Sequence, residues 1–307
     1  MVGALAALQR VTGWDPREAN CLVGTSAGAL FAALLAAGVP TARLLPPDRI
    51  DPEADRRWIL NELARQSSYR SRHWLPNAPL GSWRLALAGM RQAPSTSSLL
   101  QLFSGIAPAG RVSADPIVRT VRRAVTGGWA PHPHCRIVAT DYSSGKRVVF
   151  GETGAPETGL AEAVAASCAI PGFFEPVHIN GRRYVDGGLH SLCNLDLLEA
   201  SELDVVICFS AMTSRVRHGQ SGPVQRAFHS LLSLAIAQRD RQARALIQRG
   251  VDVIVLEPTP RDRAAMGANL MDVRQWGAVL GAAQASVAGQ LRRRRVGTRL
   301  GAARGAA

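Results

Sequence analysis

A serine set between two glycines, Gly24-Thr25-Ser26-Ala27-Gly28, lies at the junction of two apolar stretches, and it constrains the fold more than any other feature of the chain. Upstream is the short run Cys21-Leu22-Val23; downstream is Ala29 to Ala37, closed by Gly38 and Pro40. A short apolar run, a turn of small residues and a longer apolar run read as strand, sharp turn and helix. Such a turn brings the residues two before and two after the serine close together, so Gly24 and Gly28 are expected there because they add almost no side chain. The helix starting at Ala27 directs its amides and the positive end of its dipole toward charge that builds near Ser26. A serine so placed forms a nucleophile elbow. The competing reading is an ordinary strand-to-helix turn with an incidental serine.

The rest of the chain supplies the scaffold for such a turn. Its 307 residues, 47% apolar and 19% charged, carry enough material for one folded α/β domain over 1–307. Val2 to Val11 have helical spacing and stop at Thr12-Gly13. Strands are predicted at Cys135 to Asp141 and Arg147 to Phe150 around Ser143-Ser144-Gly145, and at Glu175 to Ile179 and Arg182 to Val185 around Asn180-Gly181. Helices are predicted near Ala114 to Val125, Pro156 to Ser167, Val224 to Gln248 and Leu270 to Arg292. Val205 to Phe209 and Val251 to Leu256 read as buried parallel strands. This alternation predicts a three-layer α/β fold, a mostly parallel central sheet with helices on both faces. A proline-rich stretch from about 41 to 111, with Trp58, Trp74 and Trp83 among arginines, reads as a helical insertion, either a lipid-facing lid or a packed cap. Residues 195–292 would complete the domain, and the Arg/Gly/Ala-rich end, 293–307, is expected to be disordered.

Charge and cysteine usage narrow the class further. The formal net charge is +13, and Lys146 is the only lysine among 36 basic residues. Such an arginine excess reads as coding-composition bias or as a field for anionic surfaces, with Arg292 to Arg295 the one dense cluster. No aromatic-basic nucleic-acid motif is visible, so no nucleic acid is expected as a partner. The five cysteines (Cys21, Cys135, Cys168, Cys193, Cys208) are scattered, without a C-x-x-C pair or a zinc-ligand spacing, which predicts reduced thiols and no metal. Neither a signal-peptide pattern nor an apolar run of membrane-spanning length is present in the sequence. The expectation is a cytoplasmic protein, with contact at the periphery of a membrane left open.

A serine nucleophile needs a base. His190, His218 and His229 lie downstream in the order a Ser-acid-His triad would use, but none sits in a recognisable motif; His132, His134 and His178 are no better marked. A carboxylate is better placed: Asp186-Gly187-Gly188 follows the apolar pair Tyr184-Val185 and puts one acid in a loop whose glycines admit a neighbouring backbone. Together with the elbow and with Ala166-Ser167-Cys168-Ala169-Ile170-Pro171-Gly172-Phe173-Phe174-Glu175-Pro176, this combination resembles the patatin-like phospholipases. The resemblance runs from about Gly3 to Asn194, and Glu257-Pro258-Thr259-Pro260 and Met271-Asp272 look like bacterial members.

The resemblance implies a Ser-Asp dyad with Ser26 as nucleophile and Asp186 as the base that takes its proton and returns it to the leaving alcohol. Gly24, Thr25, Ala27 and Gly28 would form the elbow motif and Gly187 and Gly188 the acid's loop, with Asn194 carried over as a structural residue. It implies hydrolysis of a lipid acyl ester, a phospholipid or lysophospholipid, through an acyl-enzyme and without a cofactor. An ordinary aspartate, pKa ~3.9, is a poor base for serine, so Asp186 is expected to be screened from water. Family members also carry a glycine-rich loop after their first strand whose amides form the oxyanion hole. Met1 to Leu8 match the helix that follows that loop, so the expectation is that Met1 is an internal methionine of a longer protein. The alternatives are a catalytically impaired relic that keeps the dyad without that loop, and a basic protein that binds lipid or nucleic-acid surfaces and whose serine is incidental.

Overall fold

The computed structural model describes residues 1–45, 81–91, 95–106, 110–125, 127–200, 203–211, 223–267 and 275–305, without the side chains of 223–229 and 302–305. Much of the expected insertion (46–80, 92–94 and 107–109), including Trp58 and Trp74, lies outside these residues, as do His218 and Met271-Asp272. The described residues group into two compact units. One holds 1–20, 40–45 and the chain from 195 onward; the other holds 21–39 and the chain from 81 to 194.

In the first unit, α1 (Val2–Thr12) ends where the sequence predicts: Gly13 takes a left-handed conformation, φ 68°, and its N–H reaches the carbonyl of Gln9. Two parallel strands, β6 (Val205–Phe209) and β7 (Asp252–Leu256), form a separate pair. Around them lie the long helix α7 (Pro223–Gln248), α8 (Pro260–Met266), α9 (Trp276–Arg293) and α10 (Val296–Gly305). The core joins Ala4, Ala7 and Leu8 of α1 to Ile254 and Leu256 of β7 and to Val287, Ala288 and Leu291 of α9. Glu257 pairs with the fully buried Arg239 at 2.6 Å. Thr259 and Asp262 form a reciprocal capping box that starts α8.

The C-terminal end departs from the expectation of disorder. Val296 and Leu300, four residues apart, fall on one face of a helix and are buried in the same core, so two apolar anchors order a segment that composition alone would leave loose.

The second unit carries a five-stranded sheet: β1 (Leu22–Thr25), β2 (Cys135–Asp141), β3 (Arg147–Phe150), β4 (Val177–Ile179) and β5 (Arg182–Asp186). The α/β class stands, but parallel order holds only at β1–β2 here and at β6–β7 in the other unit; β2–β3, β2–β5 and β4–β5 are antiparallel. The cause is local: β2–β3 and β4–β5 are hairpins, the latter closed by Asn180 and Gly181 at φ 48° and 73°, the signature of a two-residue primed turn. The helices of this unit are α2 (Ala27–Ala36), α3 (Trp83–Arg91), α4 (Thr96–Ile106), α5 (Asp115–Ala124) and α6 (Leu160–Cys168). Both α2 and α6 are apolar on nearly every face and buried accordingly. Leu85 of α3 joins Tyr142, Val185 and Leu189 in a small core of its own. Within the predicted insertion, α3 and α4 are helical as expected.

One feature of the register positions the site. β3 lines residues 137–140 of β2, so β1, paired with 135–138, and β5, paired with 139–141, must share the other edge. β1 runs parallel to β2 and β5 antiparallel, so the two strands run head-on, Thr25 opposite Val138 and Asp186 opposite Ala139. Neither chain can continue straight. One turns away at Ser26, the other at Gly187.

Candidate active site

Where β1 meets β5, the chain turns sharply at Ser26, with φ 55° and ψ −129°, and α2 begins at the next residue. A non-glycine residue at positive φ costs on the order of 1–3 kcal/mol and persists only where its surroundings hold it. Here the Ser26 N–H donates to Ser167 Oγ (2.9 Å), whose own hydroxyl donates to the carbonyl of Val138 (2.6 Å). The Ser26 carbonyl accepts from the Ala29 N–H (2.8 Å) and from the Cys168 thiol (3.1 Å). Two residues at the end of α6 thus hold the elbow from below.

The two elbow glycines differ. A Cβ on Gly24 would lie 2.5 Å from Ala29 Cα and 2.7 Å from the Gly28 carbonyl oxygen, so no side chain fits. A Cβ on Gly28 would meet no atom within 4 Å, which corrects the expectation that close contact requires both. The turn is tight on the strand side, while on the helix side it opens to space beside the exposed Ala27.

Asp186 closes β5 and, at 6% exposed, is screened from water as expected. Its Oδ1 accepts the Gly188 N–H at 2.7 Å, its backbone N–H donates to Ala169, and its carbonyl accepts from Thr140 Oγ1. The Ser26 side chain is hydrogen-bonded to its carboxylate. Burial pushes the carboxyl pKa up to about 6, and the bonds from Ser26 and Gly188 restrain that rise. A Cβ on Gly187 would lie 2.3 Å from the Val138 carbonyl oxygen, so no side chain fits there, whereas one on Gly188 would lie 3.0 Å from Asp186 Oδ1 and press on the carboxylate. Burial, and secondarily the Asp186 charge, raises the pKa of the neighbouring Cys168 thiol well above the ordinary range.

Asn194 ties the two loops together. It is fully buried and left-handed (φ 47°); its Nδ2 donates to Thr25 Oγ1 (3.0 Å) and to the Ser191 carbonyl (2.6 Å), and its Oδ1 accepts from Arg147 (3.1 Å). The sequence marks it as structural, and it is, with a reach extending to the nucleophile's strand. Ser167 lies in the stretch that carries the resemblance, but nothing local in the sequence marks its bond to the Ser26 amide.

Of the predicted site residues, Ser26, Asp186 and their glycines come together. His190 ends the turn after Asp186, its N–H bonded to the Gly187 carbonyl, and the side chain of His229 is outside the described residues. None of the five cysteines forms a disulfide. Among the described residues, no group of three or more His, Cys, Asp or Glu could hold a metal, and no helix is long and apolar enough to cross a membrane. The arrangement holds a hydroxyl against a carboxylate that is largely ionised near neutral pH, which is what removing a serine proton requires.

The sequence model of the patatin-like phospholipase family matches residues 1–198, both loops included. The chain belongs to that family. Patatin-like phospholipases are lipid acyl hydrolases, and the head-on strands place this member's serine and aspartate within one hydrogen bond. Among solved structures, the chain is similar to the crystal structure of VipD from Legionella pneumophila, at 16% identity and a TM-score of 0.41. The similarity covers 95% of this chain and 64% of that one, so the chain spans less than two thirds of VipD's length.

Proposed function

We propose that this protein hydrolyses acyl esters of lipids, as a phospholipase A or lysophospholipase, through an acyl-enzyme on Ser26 with Asp186 as general base. The observation that carries this reading is the hydrogen bond between the Ser26 side chain and a buried carboxylate whose pKa lies near 6. The Ser26 oxygen attacks the ester carbonyl carbon as its proton passes to Asp186. The carbonyl oxygen gains a negative charge beside the start of α2, where the amides of Ala27 and Gly28 have no partner within the helix. The Ser26 amide is not among these donors, because Ser167 occupies it. The C–O bond to the alcohol then breaks, and the alcohol leaves with the proton held by Asp186. Water, deprotonated by Asp186, attacks the acyl-serine and releases the fatty acid, and the proton returns to Ser26.

The substrate is a phospholipid or lysophospholipid presented at a membrane or micelle surface, and cysteines outside any disulfide suit a reducing, cytoplasmic location. Labelling with a fluorophosphonate probe tests the reading. Probe attached to Ser26, and lost in Ser26→Ala and Asp186→Asn, is the expected result. A folded protein that takes no label would overturn it and favour a catalytically silent lipid-binding role. Labelling that survives Asp186→Asn but not a His190 substitution would favour a histidine base.

A further inference from the structure

Two adjoining hollows, of about 370 and 450 Å³, open on the second unit where α3, the β2–β3 turn and the start of β5 meet. Arg84, Ser143 and Ser144 line both; Arg182 and Arg183 complete the first, Trp83 and Arg91 the second. All four guanidinium side chains belong to exposed residues. The one acid among them, Asp141, is buried and already accepts the Ser143 and Ser144 N–H groups and pairs with Arg182. Four positive charges against one negative leave this face at +3.

The apolar residues here are also unusual. Trp83 is 69% exposed, with the Arg84 guanidinium 5.5 Å from its ring centre, and Met90 on the same helix is 61% exposed. A tryptophan flanked by arginines suits the membrane interface, where the ring lies at head-group depth and the cations meet phosphates. Met90 adds an aliphatic contact that a nucleic acid would leave unused.

We infer that this face docks the protein on an anionic lipid bilayer, with phosphate head groups in the arginine-lined hollows and Trp83 and Met90 at the acyl boundary. The inference rests on the proposed lipid reading and adds a location to it. Arg183 precedes Asp186 by three residues on β5, roughly 10 Å at ~3.3 Å per residue, so a docked membrane lies within one lipid length of the dyad.

The test uses the full chain carrying Ser26→Ala, so that lipid is bound and not cleaved, in co-sedimentation with vesicles of phosphatidylcholine alone or mixed with phosphatidylglycerol. The expected result is binding to the mixed vesicles that high salt weakens. Combined Arg84→Gln, Arg91→Gln and Arg183→Gln should weaken it about a hundredfold, at about fivefold per arginine near an anionic surface. Trp83→Ala should weaken it about tenfold. Arg292→Gln with Arg294→Gln, in the other unit, should leave it unchanged. Equal binding to neutral vesicles, indifference to the triple change, loss through Arg292 and Arg294, or duplex DNA displacing vesicles from the same arginines would each overturn the inference. Vesicle binding without fluorophosphonate labelling of the wild type would instead sink the hydrolase reading and leave the docking face standing. Labelling without vesicle binding would do the reverse.

Discussion

The two loops that meet at the site are built on opposite principles. After β1, the backbone at Ser26 is forced to a φ of 55° and the residue stays half-exposed; after β5, Asp186 keeps an ordinary φ of −48° and is buried. Ser26 sits on strained backbone, where a nucleophile, as proposed, would present its oxygen to a substrate. Asp186 is desolvated, which raises its proton affinity without exposing it. A nucleophile must reach a substrate atom, whereas a base needs only to reach the nucleophile, and the contrast between the loops suits the roles proposed for them.

The largest expected effect tests whether the loops form one device. Ser26→Ala and Asp186→Asn should each lower ester hydrolysis by ~10⁴-fold or more, and the double variant should lose little beyond either single one, because the two act as a unit. Losses that multiply would break the comparison. Next comes the geometry of the strained side. Gly24→Ala should cost about 3 kcal/mol of stability in denaturant melts, because its Cβ would strike backbone atoms of α2, whereas Gly28→Ala should be neutral or slightly stabilising. Equal costs at the two positions would show that the turn is tight all round.

The buried side is tested by pH. Asp186 has a folded pKa of about 6 against an ordinary 3.8, so the fold favours its protonated form. That contribution is fully present below pH 3.8 and is lost as pH rises through 6, a swing of about 3 kcal/mol at ~1.4 kcal/mol per unit. Asp186→Asn should therefore be more stable than the wild type at about pH 8, with the advantage gone at about pH 4. Wild-type hydrolysis should rise with pH and reach half its plateau near pH 6. An activity midpoint at the ordinary carboxylate value would mean that the base is wetter than its burial indicates. The smallest effect concerns the tie between the loops. Asn194→Ala should cost about 2 kcal/mol and slow hydrolysis by ~10-fold through misalignment, since it strips buried partners of their bonds.

How much of this could be read in advance follows from where each signal lies. The elbow and the Asp-Gly-Gly turn are local, and their residue types announce them. So does the Asn180-Gly181 hairpin, whose antiparallel pairing argues against a mostly parallel sheet even before the register is known. The head-on meeting of β1 and β5 is set by pairing with β2 across more than a hundred residues and leaves no local trace. Ser167 is hidden for the same reason, its partner lying 141 residues away. Gly28 misled because the motif's symmetry suggested symmetric crowding. The C-terminal helix was missed because Val296 and Leu300 are sparse anchors in a run of arginine, glycine and alanine.

The bond from Asn194 to Thr25 closes a loop of 169 residues. A chain emerging from the ribosome makes Ser26 well before Asp186 and Asn194, so this tie cannot form until Asn194, 169 residues after Thr25, has been made. A half-made chain carries the serine without the carboxylate and the asparagine that are arranged around it. Under the proposed mechanism, activity arrives in one late step, when the last part of the second unit closes on the first strand.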